Sequence, residues 1–161
     1  MGHPLYIYAA QLLKYIPIGS LSGRLNFFSG LGMSVALANL VALLTGLTGR
    51  RWIGWLTASM LAVSHTVWWL STVAEVYTWS VAGLTAELWM MAILVRRPSW
   101  RPLAGLGFVS GLGLCIHNFA LLSLPVHFVL AVVLVLRGRL GGWTLAGGAV
   151  AWLIGASMYL G

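Results

Sequence analysis

The sequence predicts an all-α polytopic membrane protein with six transmembrane helices and one N-terminal interfacial helix. Three observations carry this reading. Of the 161 residues, 60% are hydrophobic and 7% are charged, whereas a soluble globular chain carries about 25% charged residues. Several apolar runs approach the ~20 residues needed to cross a bilayer. The cations fall in short clusters between those runs, which is the arrangement of cytoplasmic membrane loops. The mean hydropathy of +0.95 agrees. There is no Asp, and the acids are Glu75 and Glu87 alone, against one Lys (Lys14) and eight Arg. This composition excludes a soluble enzyme, a disordered tail and a disulfide scaffold. The lone Cys115 sits in an apolar stretch and carries no redox information. The formal net charge of +7 does not signal nucleic acid, because the cations do not gather on one patch.

The chain reads as one transmembrane domain over residues 1–161, with a juxtamembrane helix at 3–18 and a bundle at 22–161. His3-Pro4 opens the first segment, and Pro suits the first turn of a helix. The apolar stretch Leu5 to Ile16 then runs for 12 residues, carries Gln11 and Lys14, and stops at Pro17 and Gly19. It is too short to span, so it is expected to lie in the outer interface. No Lys or Arg precedes it, which argues against a signal peptide. Leu25 to Thr48 is the first span. Trp52 to Leu70 and Tyr77 to Val95 follow, 19 residues each, split by the polar turn Ser71 to Val76. Leu103 to Ile116 reaches only ~21 Å at the helical rise, so it extends past His117 or ends below the interface. Phe119 to Leu136 and Trp143 to Leu160 complete the set.

Orientation follows from the cations. Arg50-Arg51, Arg96-Arg97 with Arg101, and Arg137 with Arg139 all fall at one level, which the positive-inside rule assigns to the cytoplasm. The Glu75 turn, the His117-Asn118 turn and both termini are then expected outside. Trp52, Trp55, Trp100 and Trp143 mark the inner ends, and Trp68, Trp69, Tyr77 and Trp79 the outer ends, as aromatic belts do. Gly107 and Gly111, extended by Gly105 and Gly113, form a small-residue pattern that lets helices approach closely. No strand-turn-helix context surrounds them, so they imply no nucleotide loop.

A few residues break the membrane pattern. Arg24 lies at the outer end of a span, where it is either an interfacial anchor or a bidentate donor to an anionic group such as a phosphate. Glu75 is the only acid in an outer turn. It is a solvated turn residue, or a general base, a metal ligand or a partner of Arg24. Glu87 lies inside a span, where an ionisable group costs a few kcal/mol unless paired. It is expected to pair with an Arg near the cytoplasm or to face a polar crevice. His65, flanked by Ser64 and Thr66, is expected to make an interhelical hydrogen bond, and His127 carries a weaker signal. His117-Asn118 ends a short span level with Glu75 and Arg24, and that shared depth is the best pointer to a site. No His, Cys, Asp and Glu spacing supports zinc, and without Asp an acid-rich divalent cage cannot be built from this chain alone. A divalent cation shared with other groups remains compatible.

Four strings then carry a resemblance. His3-Pro4-Leu5-Tyr6-Ile7-Tyr8 resembles a His-Pro entry to an outer juxtamembrane helix. Arg24-Leu25-Asn26-Phe27-Phe28-Ser29 opens a long span. Ala74-Glu75-Val76-Tyr77 sits in the second outer loop, and Gly111-Leu112-Gly113-Leu114-Cys115-Ile116-His117-Asn118 closes a later one. In this order and spacing the chain is similar to the GT-C membrane glycosyltransferases, and more closely to the protein O-mannosyltransferase-like family, over nearly its whole length. The resemblance implies an integral membrane glycosyltransferase that moves mannose or a similar sugar from a polyprenyl phosphate to a protein Ser or Thr hydroxyl, or another acceptor, on the outer face. Its implied partners are the polyprenyl-linked sugar, membrane lipids and an acceptor protein, and its implied location is a bacterial inner membrane.

The same resemblance implies residue roles. Arg24 would hold the phosphate, with Lys14, His3, His117 and Asn118 assisting, and Glu75 would orient the acceptor or balance Arg24. The family's main catalytic acid, usually Asp, lies in a loop before the His-Pro segment. The chain is therefore expected to be an internal piece of a larger enzyme, truncated at both ends. Two other classes compete. A transporter or channel subunit would use Glu87 and His65 along an ion path, and a non-catalytic membrane scaffold would use Arg24 and Glu75 only as interfacial anchors.

Overall fold

The structure is a computed structural model that describes residues 3–160. Eight α-helices and one three-ten turn follow in order, with no strand among the described residues. They are α1 (Pro4–Leu13), α2 (Leu21–Thr48), α3 (Arg51–Ala62), α4 (His65–Thr72), α5 (Tyr77–Arg96), α6 (Trp100–Ile116), the three-ten turn (Asn118–Leu122), α7 (Leu124–Leu136) and α8 (Trp143–Leu160).

Local chemistry explains the boundaries. Pro4 occupies the first turn of α1, where its missing N–H costs nothing. Ser20 caps α2, its hydroxyl accepting from the Gly23 amide at 3.2 Å. Gly49 ends α2 in the left-handed region at φ 71°, a conformation that glycine adopts without a Cβ penalty. Leu124-Pro125 begins α7 for the same reason as Pro4 begins α1.

Among the described residues, three helical stretches are long and apolar enough to cross a membrane: Leu21–Thr48, Tyr77–Arg96 and Asn118–Leu136. The expectation of six spans is not met. The run Trp52–Leu70 is broken at Val63-Ser64 into α3 of 12 residues and α4 of 8 residues. Ser64 takes an extended backbone and its hydroxyl donates to Leu61 O at 2.7 Å, replacing a helical bond with a local one. α6, at 17 residues, also falls short. The predicted interfacial helix is real as a helix but stops at Leu13, before Ile16. Large apolar side chains cover the outside, among them Trp52, Trp55, Trp68, Trp69, Trp100 and Trp143. Such a surface suits lipid, not water.

Two interfaces organise the bundle. α6 lies along α8 with the backbones in contact. A Cβ on Gly107 would strike Gly148 O, one on Gly111 would strike Trp152 O, and one on Gly155 would strike Phe108 O. Gly107 and Gly111 are therefore packing glycines, as the pattern suggested. Gly105 and Gly113 face elsewhere, towards Met90 and Ala120. The second interface joins α2 to α5 through Met33, Ala36 and Ala82, with Leu37, Trp79 and Val81 packed around them. At the arginine-rich end, Leu94, Leu103, Leu106, Ala131, Leu134 and Leu140 form a further core. Arg96 closes the same end: its guanidinium donates to Gly46 O and, at 2.9 Å, to Leu47 O, satisfying carbonyls that α2 leaves unpaired.

Backbone contact of this kind leaves no room for a methyl group. Gly111→Ala and Gly155→Ala are each expected to destabilise the protein by about 1–3 kcal/mol through overpacking. Gly147→Ala, where an added methyl meets nothing within 4 Å, should be neutral or slightly stabilising. Thermal unfolding in detergent micelles measures the difference.

Candidate functional site

One end of the bundle gathers α1, the start of α2, the start of α5 and the end of α6. Its chemistry begins with a helix that needs a cap. α1 stops at Leu13, whose carbonyl holds only a long bond from the Ile16 amide at 3.3 Å, and the carbonyls that follow have no helical partner. Arg24, on the first turn of α2, collects them: Nη1 donates to Leu13 O at 2.8 Å, to Lys14 O at 3.3 Å and to Ile16 O. Its Nε donates to Ser20 O at 3.3 Å. Nη2 has no partner among the described residues. Arg24 therefore clamps the end of α1 with one side of its fork and leaves the other side open.

The Glu75 segment is fixed by its backbone. Ser29, fully buried, donates to Glu75 O at 3.2 Å and accepts from the Glu75 amide at 2.9 Å. Thr78 adds a weaker contact to the same carbonyl at 3.4 Å. Trp79 Nε1 donates to Phe28 O at 3.1 Å, and the two rings lie 4.7 Å apart. The half-buried Glu75 side chain stays out of this network. Among the described residues it forms no ion pair with Arg24, so a direct Arg24–Glu75 partnership is not present. Ser29 lies ~7.5 Å along α2 from Arg24, which puts the Glu75 turn and the Arg24 clamp on the same end.

The third part is an aromatic stack. The His3 ring lies parallel to the His117 ring, with centroids 4.8 Å apart and planes at 15°. Phe119 and Tyr77 close around His117 at 4.2 Å and 5.6 Å. His117 Nδ1 accepts from the Phe119 amide at 3.2 Å, so its proton is assigned to Nε2 and that nitrogen is a donor. Burial first, and then the neighbouring His3 charge, hold the His117 imidazole below its ordinary value. It is neutral near pH 7.

Other predicted residues fall differently. Lys14 is exposed, its ammonium 5.0 Å from the Tyr15 ring centre. Asn118 is exposed at the start of the three-ten turn. His65 makes no interhelical bond; it is exposed at the start of α4 because the helix breaks just before it. Glu87 does not meet an Arg. Its carboxylate lies 3.7 Å from His127 Nε2, with both side chains buried. Glu87 also lines a groove of about 490 Å³ that Tyr77, His117 and Phe119 line with it. Among the described residues no group of three or more His, Cys, Asp or Glu could hold a metal ion. Sequence reasoning missed Ser29, Thr78 and the role of His127. Only the string Phe27-Phe28-Ser29 hinted at the first.

Residues 1–137 match the family described as "Protein O-mannosyl-transferase TMEM260 N-terminal domain". The chain belongs to this O-mannosyltransferase family. No curated protein and no solved structure matches it. The matched stretch contains the whole site of this O-mannosyltransferase-family chain, from His3 through Arg24, Glu75 and Tyr77 to Asn118. It leaves out α8.

The His117 environment sets a pH dependence. Its folded value is depressed, so the unfolded chain binds the proton more readily. Stability then rises with pH across that window and is lost as pH falls through the ordinary histidine value towards the folded one. Between about pH 7.5 and about pH 5, α1 should become less protected in amide hydrogen exchange, after correction for intrinsic rates. In His117→Gln that pH dependence should flatten.

Proposed function

We propose that this chain is the membrane part of a GT-C-type enzyme that transfers mannose or a similar sugar from a polyprenyl phosphate to a Ser or Thr hydroxyl on the extracytoplasmic face. The observation that carries the reading is the gathering of the Arg24 clamp, the Ser29-anchored Glu75 turn and the His3–His117 stack at one end of an apolar bundle, in a chain of the O-mannosyltransferase family. Membership supplies the reaction class, and the residues supply candidate roles. The bilayer would be a bacterial inner membrane with the arginine clusters inside, and both ends of the chain would lie on the outer side, with α3–α4, α6 and α8 each completing a crossing beside the three long stretches.

The reaction breaks the bond between the sugar's anomeric carbon and the phosphate oxygen and forms one to the acceptor oxygen. The acceptor proton passes to a carboxylate. Charge builds on the leaving phosphate, and fixed donors there lower the barrier. The open Nη2 of Arg24 points to this role, because guanidinium can grip phosphate while keeping its other contacts. The neutral Nε2–H of His117 adds a donor without adding charge, and Lys14, His3 and Asn118 lie nearby in sequence or contact. Glu75 orients the acceptor hydroxyl, its backbone already held by Ser29. The apolar helices accommodate the prenyl tail.

The test is sugar transfer in proteoliposomes from a polyprenyl-phosphate donor to a Ser/Thr peptide. Arg24→Ala should reduce transfer by about 100-fold, and Arg24→Lys should recover only part of it, since a point charge replaces a fork. Glu75→Gln should raise the KM for acceptor more than for donor. Full transfer by Arg24→Ala and Glu75→Gln, with loss in Glu87→Gln alone, would favour a transporter reading instead.

A further inference from the structure

A second cavity, about 630 Å³ in volume, lies between α6, α7 and α8. That volume suits one small lipid. It shares no lining residue with the Glu87 groove or with the Arg24 and His117 rim. Exposed Phe128 and Leu153 border it, so it opens on the face that meets lipid. Its lining runs from Leu103 to Ser110 on α6 and from Leu145 to Leu153 on α8, a length of ~10–12 Å at the helical rise.

The two ends of the cavity differ. At the arginine-rich end its walls are Leu103, Ala131 and Leu145, continuous with the leucine core there. The opposite end holds Ser110, His127 and Trp152. His127 is 8% exposed. Its Nε2 faces the Glu87 carboxyl at 3.7 Å, and its Nδ1 has no hydrogen-bond partner among the described residues. The covered indole N–H of Trp152 has none either. Buried polar atoms are nearly always hydrogen-bonded, and a lipid tail offers them nothing.

The two atoms define the missing partner. Trp152 needs an acceptor. His127 Nδ1 needs an acceptor or a donor, according to which ring nitrogen carries the proton. A hydroxyl serves both tautomers, because it donates one hydrogen bond and accepts two. A carbonyl or ether oxygen serves only one of them. No Lys, Arg or Glu lines the cavity, so nothing there would neutralise a phosphate.

We infer that this cavity binds a neutral long-chain alcohol, with its hydroxyl between His127 and Trp152 and its chain along Leu103, Ala131 and Leu145. Seating the hydroxyl takes a small turn of the indole, whose ring lines the cavity. The rim reads as a phosphate site built on a cation, so the two sites stand or fall separately.

The test places the full chain in liposomes with a decanol that carries a diazirine at its far end. Photolysis should label the peptides holding Leu103, Ala131 and Leu145. Unlabelled decanol should suppress that labelling at about tenfold lower mole fraction in the bilayer than decane, with decyl methyl ether between them. Trp152→Phe keeps a ring and removes the N–H, and the preference for decanol over decane should fall severalfold. Ala149→Leu fills the cavity from an exposed position and should abolish the labelling. Helical circular dichroism of both variants guards against misfolding, and the competition series on the unaltered chain needs neither. Equal suppression by decanol and decane overturns the inference, as does an alcohol preference unchanged in Trp152→Phe. A polyprenyl phosphate that outcompetes decanol also overturns it, by making the cavity the seat of a phospholipid tail.

Discussion

Unpaired carbonyls at helix ends govern this protein. In apolar surroundings each costs several kcal/mol unless a donor reaches it. The chain meets the demand with arginine. Arg24 gathers Leu13, Lys14 and Ile16 at the end of α1, and Arg96 gathers Gly46 and Leu47 at the end of α2. A guanidinium suits the task because its five donors sit in a fixed fork and it stays charged. The two clamps have different consequences. Arg96 ties two long helices that are already neighbours. Arg24 ties down the end of a short helix that is otherwise held by ring contacts, Tyr6 on Phe28 at 5.9 Å and His3 on His117 at 4.8 Å. A phosphate arriving at Arg24 would meet a residue already serving the fold, with one nitrogen left over.

The helix pairs differ in how closely they pack, and this creates the groove. α6 and α8 touch backbone to backbone through Gly107, Gly111 and Gly155. α5 meets α2 through the small Ala36 and Ala82 and through Trp79. The three-ten turn between α6 and α7 replaces a regular helix, and Phe119, Ala120 and Leu122 on it form the wall opposite Tyr77, Leu84 and Glu87 of α5. The space left between them becomes the groove that reaches Glu87. His117 stands at the hinge of these features. It ends α6, accepts from the turn's Phe119 amide and carries the aromatic stack above.

Much of the helical layout was legible because it follows from single-segment composition. Tyr77–Arg96 and Asn118–Leu136 match the predicted runs to within a residue, and Trp143–Leu160 matches outright. The break at Val63-Ser64 was not legible. The run Trp52–Leu70 is apolar enough to read as continuous, and the structure breaks it where Ser64 takes an extended backbone. The partner of Glu87 was hidden for another reason. His127 lies far along the chain, and only the folding of α7 over α5 brings it near. Arg24 stands out in the sequence as a cation at the outer end of a span, but its carbonyl partners depend on α1 folding back, which no local pattern encodes. Ser29 was hidden likewise: a small polar residue in a span reads as packing until its bond to Glu75 is seen.

Two chemistries therefore occupy different depths of one bundle. At the rim, Arg24, His117 and Glu75 offer a donor fork, a neutral imidazole and a carboxylate on a backbone held by Ser29. Below it, buried Glu87 and His127 lie 3.7 Å apart, Glu87 lining an apolar groove. About ten residues of helix, ~15 Å, separate them. At that distance a group acting on a rim-bound sugar cannot be touched by Glu87, so the two sites need not share a ligand. They share only the wall of α5 and the His117 hinge. A change at Glu87 that altered rim chemistry would have to travel through that hinge, by shifting the three-ten turn that holds Phe119 against His117.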